Sequence, residues 1–225
     1  MRKCSFIFLL FLIITSCGKD NVSTTPDNSN TINGSITGKV TINGTSYPTV
    51  MIGLQTWTSA NYNGPGGVNY NNSTDNDAAY GKLYTYAEAK AITLPAGWRL
   101  PSETEFIDLI QSIDPSINPL KSPRLLSEIN TSKFMSKTGW TRSTGNTFLG
   151  SNTTGFNAYP AGLYYNYPTT GFKNIGLRTD FWIATYPNSS YSIYEHLDSD
   201  KNVFSLMKSA EYPDSRASIR FVKDK

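Results

Sequence analysis

Gly97-Trp98-Arg99-Leu100-Pro101-Ser102-Glu103-Thr104-Glu105-Phe106 is the stretch around which the chain is organised. It joins a turn, a rigid proline step and a helix start, with a large aromatic near each end. Pro101 fixes its own φ and pushes Leu100 toward extended backbone. Ser102 is a strong N-cap, and Glu105 three residues on completes an S-x-x-E capping box. Phe106, Leu109, Ile110 and Ile113 then recur at helical spacing and mark one apolar face, which Asp114-Pro115 ends. Glu103, Glu105 and Asp108 fall in the first turns, where the helix dipole favours negative charge. The start signal accounts for the two glutamates, so they read as cap and solvated face rather than as an acid–base pair.

Upstream of the corner, Ile36 to Ile42 alternates, with Ile36, Gly38, Val40 and Ile42 on the inward face. Asn43-Gly44 is a hairpin dipeptide, Thr49 to Ile52 the returning strand, and Gln55 to Thr58 another extended piece. A long polar loop follows, from Asn61 to Ala79. Within its Asn69–Asp77 segment, Asp75 and Asp77 could offer oxygens to Ca²⁺, but the spaced acids and closing Glu of an EF-hand are missing. A disordered or Asx-turn-rich loop explains the same residues. Tyr84 to Ile92 reads as a short helix, with Leu83, Tyr86, Ala87 and Lys90 on one side, and a second helix is expected around Leu125 to Phe134. From Gly139-Trp140 onward the chain is β-rich. Runs at Gly155–Gly162, Phe172–Leu177, Phe181–Tyr186, Tyr191–Leu197, Val203–Lys208 and Ser218–Val222 are bounded by Gly, Pro, Asn or Asp. Strands, two or three helices, then strands again make an α+β domain.

The 225 residues are 38% hydrophobic and only 16% charged, enough for a core beneath a neutral, polar-aromatic surface. Setting aside Arg2 and Lys3 from the 20 basic residues leaves one more basic than the 17 acidic ones. No basic stripe is present, which argues against a nucleic-acid partner. Both cysteines, Cys4 and Cys17, lie at the N-terminus, so the folded part has no thiol ligand, nucleophile or disulfide. His196 is the single histidine, too little for a histidine metal site or a triad. No cofactor, metal or catalytic residue is expected.

Residues 1–16 read as a signal peptide. Arg2 and Lys3 form its positive start, and Phe6 to Ile14 an apolar run too short to span a membrane. Ile14-Thr15-Ser16-Cys17 resembles the lipobox of bacterial lipoproteins, which implies a lipidated Cys17. Such anchors carry several chains, because one holds only marginally. Gly18 follows where inner-membrane retention would require Asp, favouring the outer membrane, and Lys19-Asp20 is similar to a surface-export signal. Residues 17–34 are polar and form a flexible tether, leaving 35–225 as the domain.

Val50-Met51-Ile52-Gly53-Leu54-Gln55-Thr56-Trp57, Tyr80 to Tyr86, Gly97 to Ser102, Gly155 to Gly162, Phe181-Trp182 and Ser218 to Asp224 follow one another along the chain. Together and in this order they resemble the Fibrobacter succinogenes major paralogous domain found in lipoproteins of Bacteroidetes and Fibrobacteres. The chain departs from the family at Phe221, where Cys is common, and at Ile183-Ala184-Thr185, where the family has Ser-Ser-Thr. The family is similar in turn to the C-type-lectin-like fold shared with formylglycine-generating enzymes, whose R-L-P-T-E-A-E-W corner the Gly97–Phe106 stretch resembles. The resemblance implies short antiparallel strands, long irregular loops and paired termini. It also implies a structural corner, in which Trp98 and Phe106 would bury their rings, each worth roughly 1.5–3 kcal/mol, and Arg99 and Arg220 would pair with carboxylates or carbonyls, tying the corner to the last strand. Those oxidases hold copper with cysteines, which the domain lacks, and the lectin Ca²⁺ signatures are absent too.

The expectation is therefore a non-enzymatic binding or adhesion module for glycan or protein. It would be anchored to the outer membrane by lipid, facing the periplasm or the cell exterior. The Leu163-Tyr164-Tyr165-Asn166-Tyr167-Pro168 segment supplies candidate ligand-stacking aromatics in Tyr164, Tyr165 and Tyr167. A structural subunit of a surface assembly, or an enzyme related to the oxidases, are the alternatives. For an enzyme, Asp198 and Asp200 form the other carboxylate pair, and Asp198-Ser199-Asp200-Lys201-Asn202 reads as a turn.

Overall fold

The computed structural model describes Gly34 and residues 36–74, 78–121, 124–145, 149–166, 169–184, 192–200, 203–209 and 214–224. The signal peptide, Cys17, the tether to residue 33, Asp75 to Asp77 and Tyr167 lie outside the described residues.

Strands β1 (Ile36–Ile42) and β2 (Thr45–Ile52) form a hairpin. Asn43 and Gly44 both take positive φ, 48° and 80°, as a tight primed turn requires. The inward face of β1 is shorter than its alternation suggests. Val40 and Ile42 are buried, but Gly38 is exposed and Ile36 is 64% exposed. An irregularity in pairing between Ile36 and Gly38 takes the strand's start out of phase with the core. A turn at Gly53-Leu54, with Gly53 at φ 59°, leads into β3 (Gln55–Thr58).

The Asn61–Ala79 loop is more ordered than its composition suggests. Through Thr74 it is held by its own chain: Val68 bridges Leu83, the Lys82 ammonium donates to the Gly64 and Gly66 carbonyls at 3.2 Å, and the Tyr84 hydroxyl donates to Gly64 O at 2.9 Å.

Tyr84–Thr85 is strand β4, and helix α1 is confined to Tyr86–Ala91. The expected helix over Tyr84–Ile92 therefore starts late. The Thr85 side chain accepts from Glu88 N, and the Glu88 carboxylate accepts from Thr85 N, a complete capping box. Ala89 is the buried position, whereas Ala87 and Lys90 face solvent. Helix α2 (Glu103–Gln111) has its own box: Glu105 N donates to Ser102 Oγ at 3.3 Å, and Ser102 N to Glu105 Oε2 at 2.6 Å. Its buried face is Phe106, Leu109 and Ile110. The second expected helix shrinks to α3 (Glu128–Ser132), because Arg124–Leu125 is recruited as strand β5.

The tail contains β6 (Leu163–Tyr165), β7 (Gly171–Lys173), β8 (Arg178–Ile183), β9 (Ser192–Asp198), β10 (Val203–Ser209), β11 (Arg216–Ala217) and β12 (Val222–Asp224). Gly155–Gly162 is not a strand. Gly155, Asn157 and Gly162 have φ of 72°, 56° and 65°, which breaks any ladder and leaves single bridges from Ala158 to Met135 and from Gly162 to Thr179. Ser218–Val222 is likewise divided, since Ser218 to Phe221 crosses between sheets.

The described strands form three sheets of four, ordered β1-β2-β3-β12, β5-β10-β9-β8 and β4-β11-β6-β7. Every strand–strand pairing is antiparallel, and with three short helices the class is α+β. The first and last strands share a sheet but are separated by β2 and β3.

Two apolar clusters fill the interior. One gathers Trp57, Phe106, Leu109, Phe156 and Phe181, and the other Tyr47, Tyr62, Tyr84, Trp182 and Phe221. Successive residues of a strand point to opposite faces, so Phe181 and Trp182 of β8 feed different clusters. Phe106 is fully buried, its ring 5.0 Å from Trp57 and 6.1 Å from Phe181. Trp98 departs from expectation: it is only half-buried at the edge of the second cluster, with the Lys223 ammonium 5.7 Å from its ring.

Candidate functional site

The corner is joined to the last strand through backbone and side chain. Arg99 and Val222 exchange both N–H···O bonds at 3.0 Å. Pro101, buried, sets the step between that bridge and α2, and its carbonyl accepts from Ala184 N at 2.7 Å. The Arg99 guanidinium donates to Glu105 of α2 and, at 2.6 Å, to Asp224 of β12. Both Glu105 oxygens are thus engaged, one by Arg99 and the other by Ser102 N. Glu105 is 8% exposed and not part of a solvated face.

A cavity of about 550 Å³ opens beside this ion-pair group. Its walls are the β2–β3 turn from Ile52 to Gln55, Asp108, Gln111 and Ser112 at the C-terminal half of α2, and Asp224. Asp108, Gln111 and Ser112 are spaced i, i+3 and i+4, which aligns them on one flank of the helix next to its buried face. Leu54, 75% exposed, stands in the lining. The Asp108 carboxyl is pushed above its ordinary range by partial burial and then by the nearby Glu105 charge. Sequence reasoning took Asp108 for a dipole-compensating residue and did not single out Gly53 or Leu54. The available signal was a glycine interrupting a β-branched run, followed by a leucine with no alternation partner.

Arg220 behaves differently from Arg99. It is fully buried and meets no carboxylate among the described residues. Its guanidinium donates to Asn61 Oδ1 at 2.6 Å, Thr58 O at 2.7 Å, and Phe156 O and Asn157 O at 2.8 Å. The Phe156 ring lies 4.9 Å and the Phe181 ring 5.6 Å from it. Burial pushes its pKa down, while the oxygen acceptors and ring faces favour the charged form. It ties β3 and the Gly155–Gly162 stretch to the crossing segment rather than to the corner.

The sequence-predicted aromatics lie elsewhere. Tyr164 pairs with Phe172 across the β6–β7 hairpin, rings 5.0 Å apart, and Tyr70 packs on Phe172 at 5.1 Å. Tyr164 and Tyr165 are half-buried, and neither lines the cavity. The Asp198–Asp200 stretch is a pinned turn, with Asp200 N donating to Asp198 Oδ1 at 2.8 Å and Ser143 N donating to the Asp200 carboxylate. His196 sits in β9, in register with Ser205 and Asp180. Asn69, in the suggested Ca²⁺ loop, donates its amide to Ser73 O at 2.8 Å. Among the described residues no group of three or more His, Cys, Asp or Glu is placed to hold a metal, and no helix is long and apolar enough to cross a membrane.

Three of the sequence pieces that carried the resemblance, those at Val50–Trp57, Gly97–Ser102 and Ser218–Asp224, meet at this corner. The Fibrobacter succinogenes major domain matches residues 21–223. The chain belongs to that family. In this Fibrobacter succinogenes major domain, the match runs through all three sheets, the corner and every residue that lines the cavity except Asp224. No curated protein and no solved structure matches the chain.

Proposed function

We propose that this is a non-enzymatic binding module, tethered by lipid at Cys17 to the outer membrane, that recognises a glycan or protein ligand. The observation that carries the reading is the cavity beside the Arg99–Glu105–Asp224 group, whose size suits a side chain or a small sugar. A concave, mixed-polarity lining favours recognition over a purely structural role in an assembly. Of the carboxylates that suggested chemistry, Glu105 is engaged by Arg99 and Ser102, and Asp200 by Ser143. The C-type-lectin-like architecture belongs to the same proposal, supported by the terminal strands sharing one sheet and by the irregular stretches between them.

The test uses the intact chain on a glycan array and in pull-downs from cell envelopes, beside Ser112→Trp, which fills the cavity. Binding that Ser112→Trp abolishes supports the reading. Blank results in both formats, or turnover of an envelope polysaccharide, overturn it. Membrane attachment is tested separately: Cys17→Ser is expected to lose incorporated palmitate and pass to the soluble fraction, and retention of both would refute the anchor.

A further inference from the structure

We propose that the cavity receives the cationic side chain, lysine or arginine, of a partner protein. The inference rests on the cavity being the ligand site and names its ligand by chemistry. The lining's hydrogen-bond inventory is lopsided. Gln111 spends one of its two amide N–H groups on Ile117 O at 2.9 Å, and Ser112 its hydroxyl hydrogen on Leu109 O at 2.6 Å. Ser112 is left with acceptor capacity alone, and Gln111 with its carbonyl oxygen and one N–H. Asp108 carries two carboxylate oxygens that meet no donor among the described residues. Asp224 gives one oxygen to Arg99 and is otherwise 77% exposed. The donors on this wall are the two glutamines: Gln55 Oε1 accepts the Trp57 indole N–H and leaves its own amide to donate, beside the second N–H of Gln111.

Charge points the same way. One guanidinium, Arg99, stands against three carboxylates, Glu105, Asp224 and Asp108. The neighbouring Lys223 lies over the Trp98 ring. Ile52 and Leu54 add apolar surface of the kind that the methylene stem of a lysine or arginine covers while its head reaches acceptors. Among the described residues none that lines the cavity is aromatic, so a sugar would lack a stacking face there, and a phosphate or acidic sugar would meet net negative charge.

The experiment is an amide chemical-shift titration of the intact chain in neutral detergent. The probes are acetyl-Gly-Lys-Gly-amide, its Arg and Gln counterparts, and maltotriose. The cationic peptides are expected to move the Gly53, Leu54, Asp108 and Ser112 amides, and the Gln peptide to bind at least about fivefold more weakly. Asp108→Asn should weaken the cationic peptides about tenfold, Leu54→Lys should compete with them from the rim, and added salt should weaken them further. Equal binding of the Gln peptide, or indifference to Asp108→Asn, overturns the inference. Maltotriose alone moving these amides also overturns it but leaves the cavity as a ligand site. Silence from all four probes, together with blank arrays and pull-downs, sinks both.

Discussion

Two arginines hold this domain together, and they do it by opposite means. Arg99 sits at the surface, shared between buried Glu105 and exposed Asp224, and the Asp224 pair works in solvent where such contacts are weak. Arg220 is sealed between Phe156 and Phe181 and bonds only neutral oxygens of Thr58, Asn61, Phe156 and Asn157. The first arrangement leaves charge and space beside it. The second consumes its surroundings, since each acceptor would otherwise be buried without a donor. A binding surface belongs beside the first and a fold-defining contact at the second.

Removing Arg220 is the harshest way to break the contrast. Arg220→Met should cost about 3–5 kcal/mol in urea unfolding, because several buried acceptors lose their donor together. Arg220→Lys should recover only part of this, as an ammonium cannot span the planar fork. A loss below about 1 kcal/mol for Arg220→Met would show the four bonds to be replaceable by water. Ser102→Ala, which removes one half of the α2 capping box, should cost about 1 kcal/mol by the same measurement. Asp224→Asn, at the exposed end of the Arg99 group, should stay within about 0.5 kcal/mol.

Asp108 sharpens the comparison by sign rather than size. Its carboxyl is held above its ordinary range, so the folded state binds that proton more tightly than the unfolded chain does. The penalty is absent below that range and appears as pH rises through it. Asp108→Asn should therefore not lower the unfolding midpoint at neutral pH, and should remove the loss of stability that sets in as pH rises through and above the ordinary carboxylate range. Glu88 has the opposite sign. Partial burial raises its pKa, but bonds from Thr85, Gly67 and Arg216 outweigh that and hold it below the ordinary range. Its contribution is complete above the unfolded value and fades as pH falls through the folded one, so Glu88→Gln should blunt acid unfolding.

The local part of the architecture was legible in the sequence. Asn43-Gly44 announced its turn, and Ser102-x-x-Glu105 with Phe106, Leu109 and Ile110 announced α2, because neighbours along the chain decide those features. The failures have a common cause in tertiary pairing. Tyr84–Thr85 and Leu125 were taken from expected helices because distant β11 and β10 offered ladder partners. Gly155–Gly162 looked like a strand, yet its positive-φ residues instead place Phe156 O and Asn157 O where Arg220 can use them. The cavity was invisible for the same reason. Gly53, Asp108 and Asp224 are far apart in sequence, and no local pattern reports that they converge.

The order of synthesis gives the closing strand a further role. Arg216 to Asp224 supplies the middle strand of one sheet, the guanidinium that fixes β3, and the edge beside Trp57. A nascent chain cannot begin any of these until residue 216 has emerged from the ribosome or complete the last before residue 224, and their long sequence separations make closure slow. Premature termination ahead of residue 216 would leave the aromatic interior open on several sides at once, a species prone to capture by chaperones and proteases rather than to partial function.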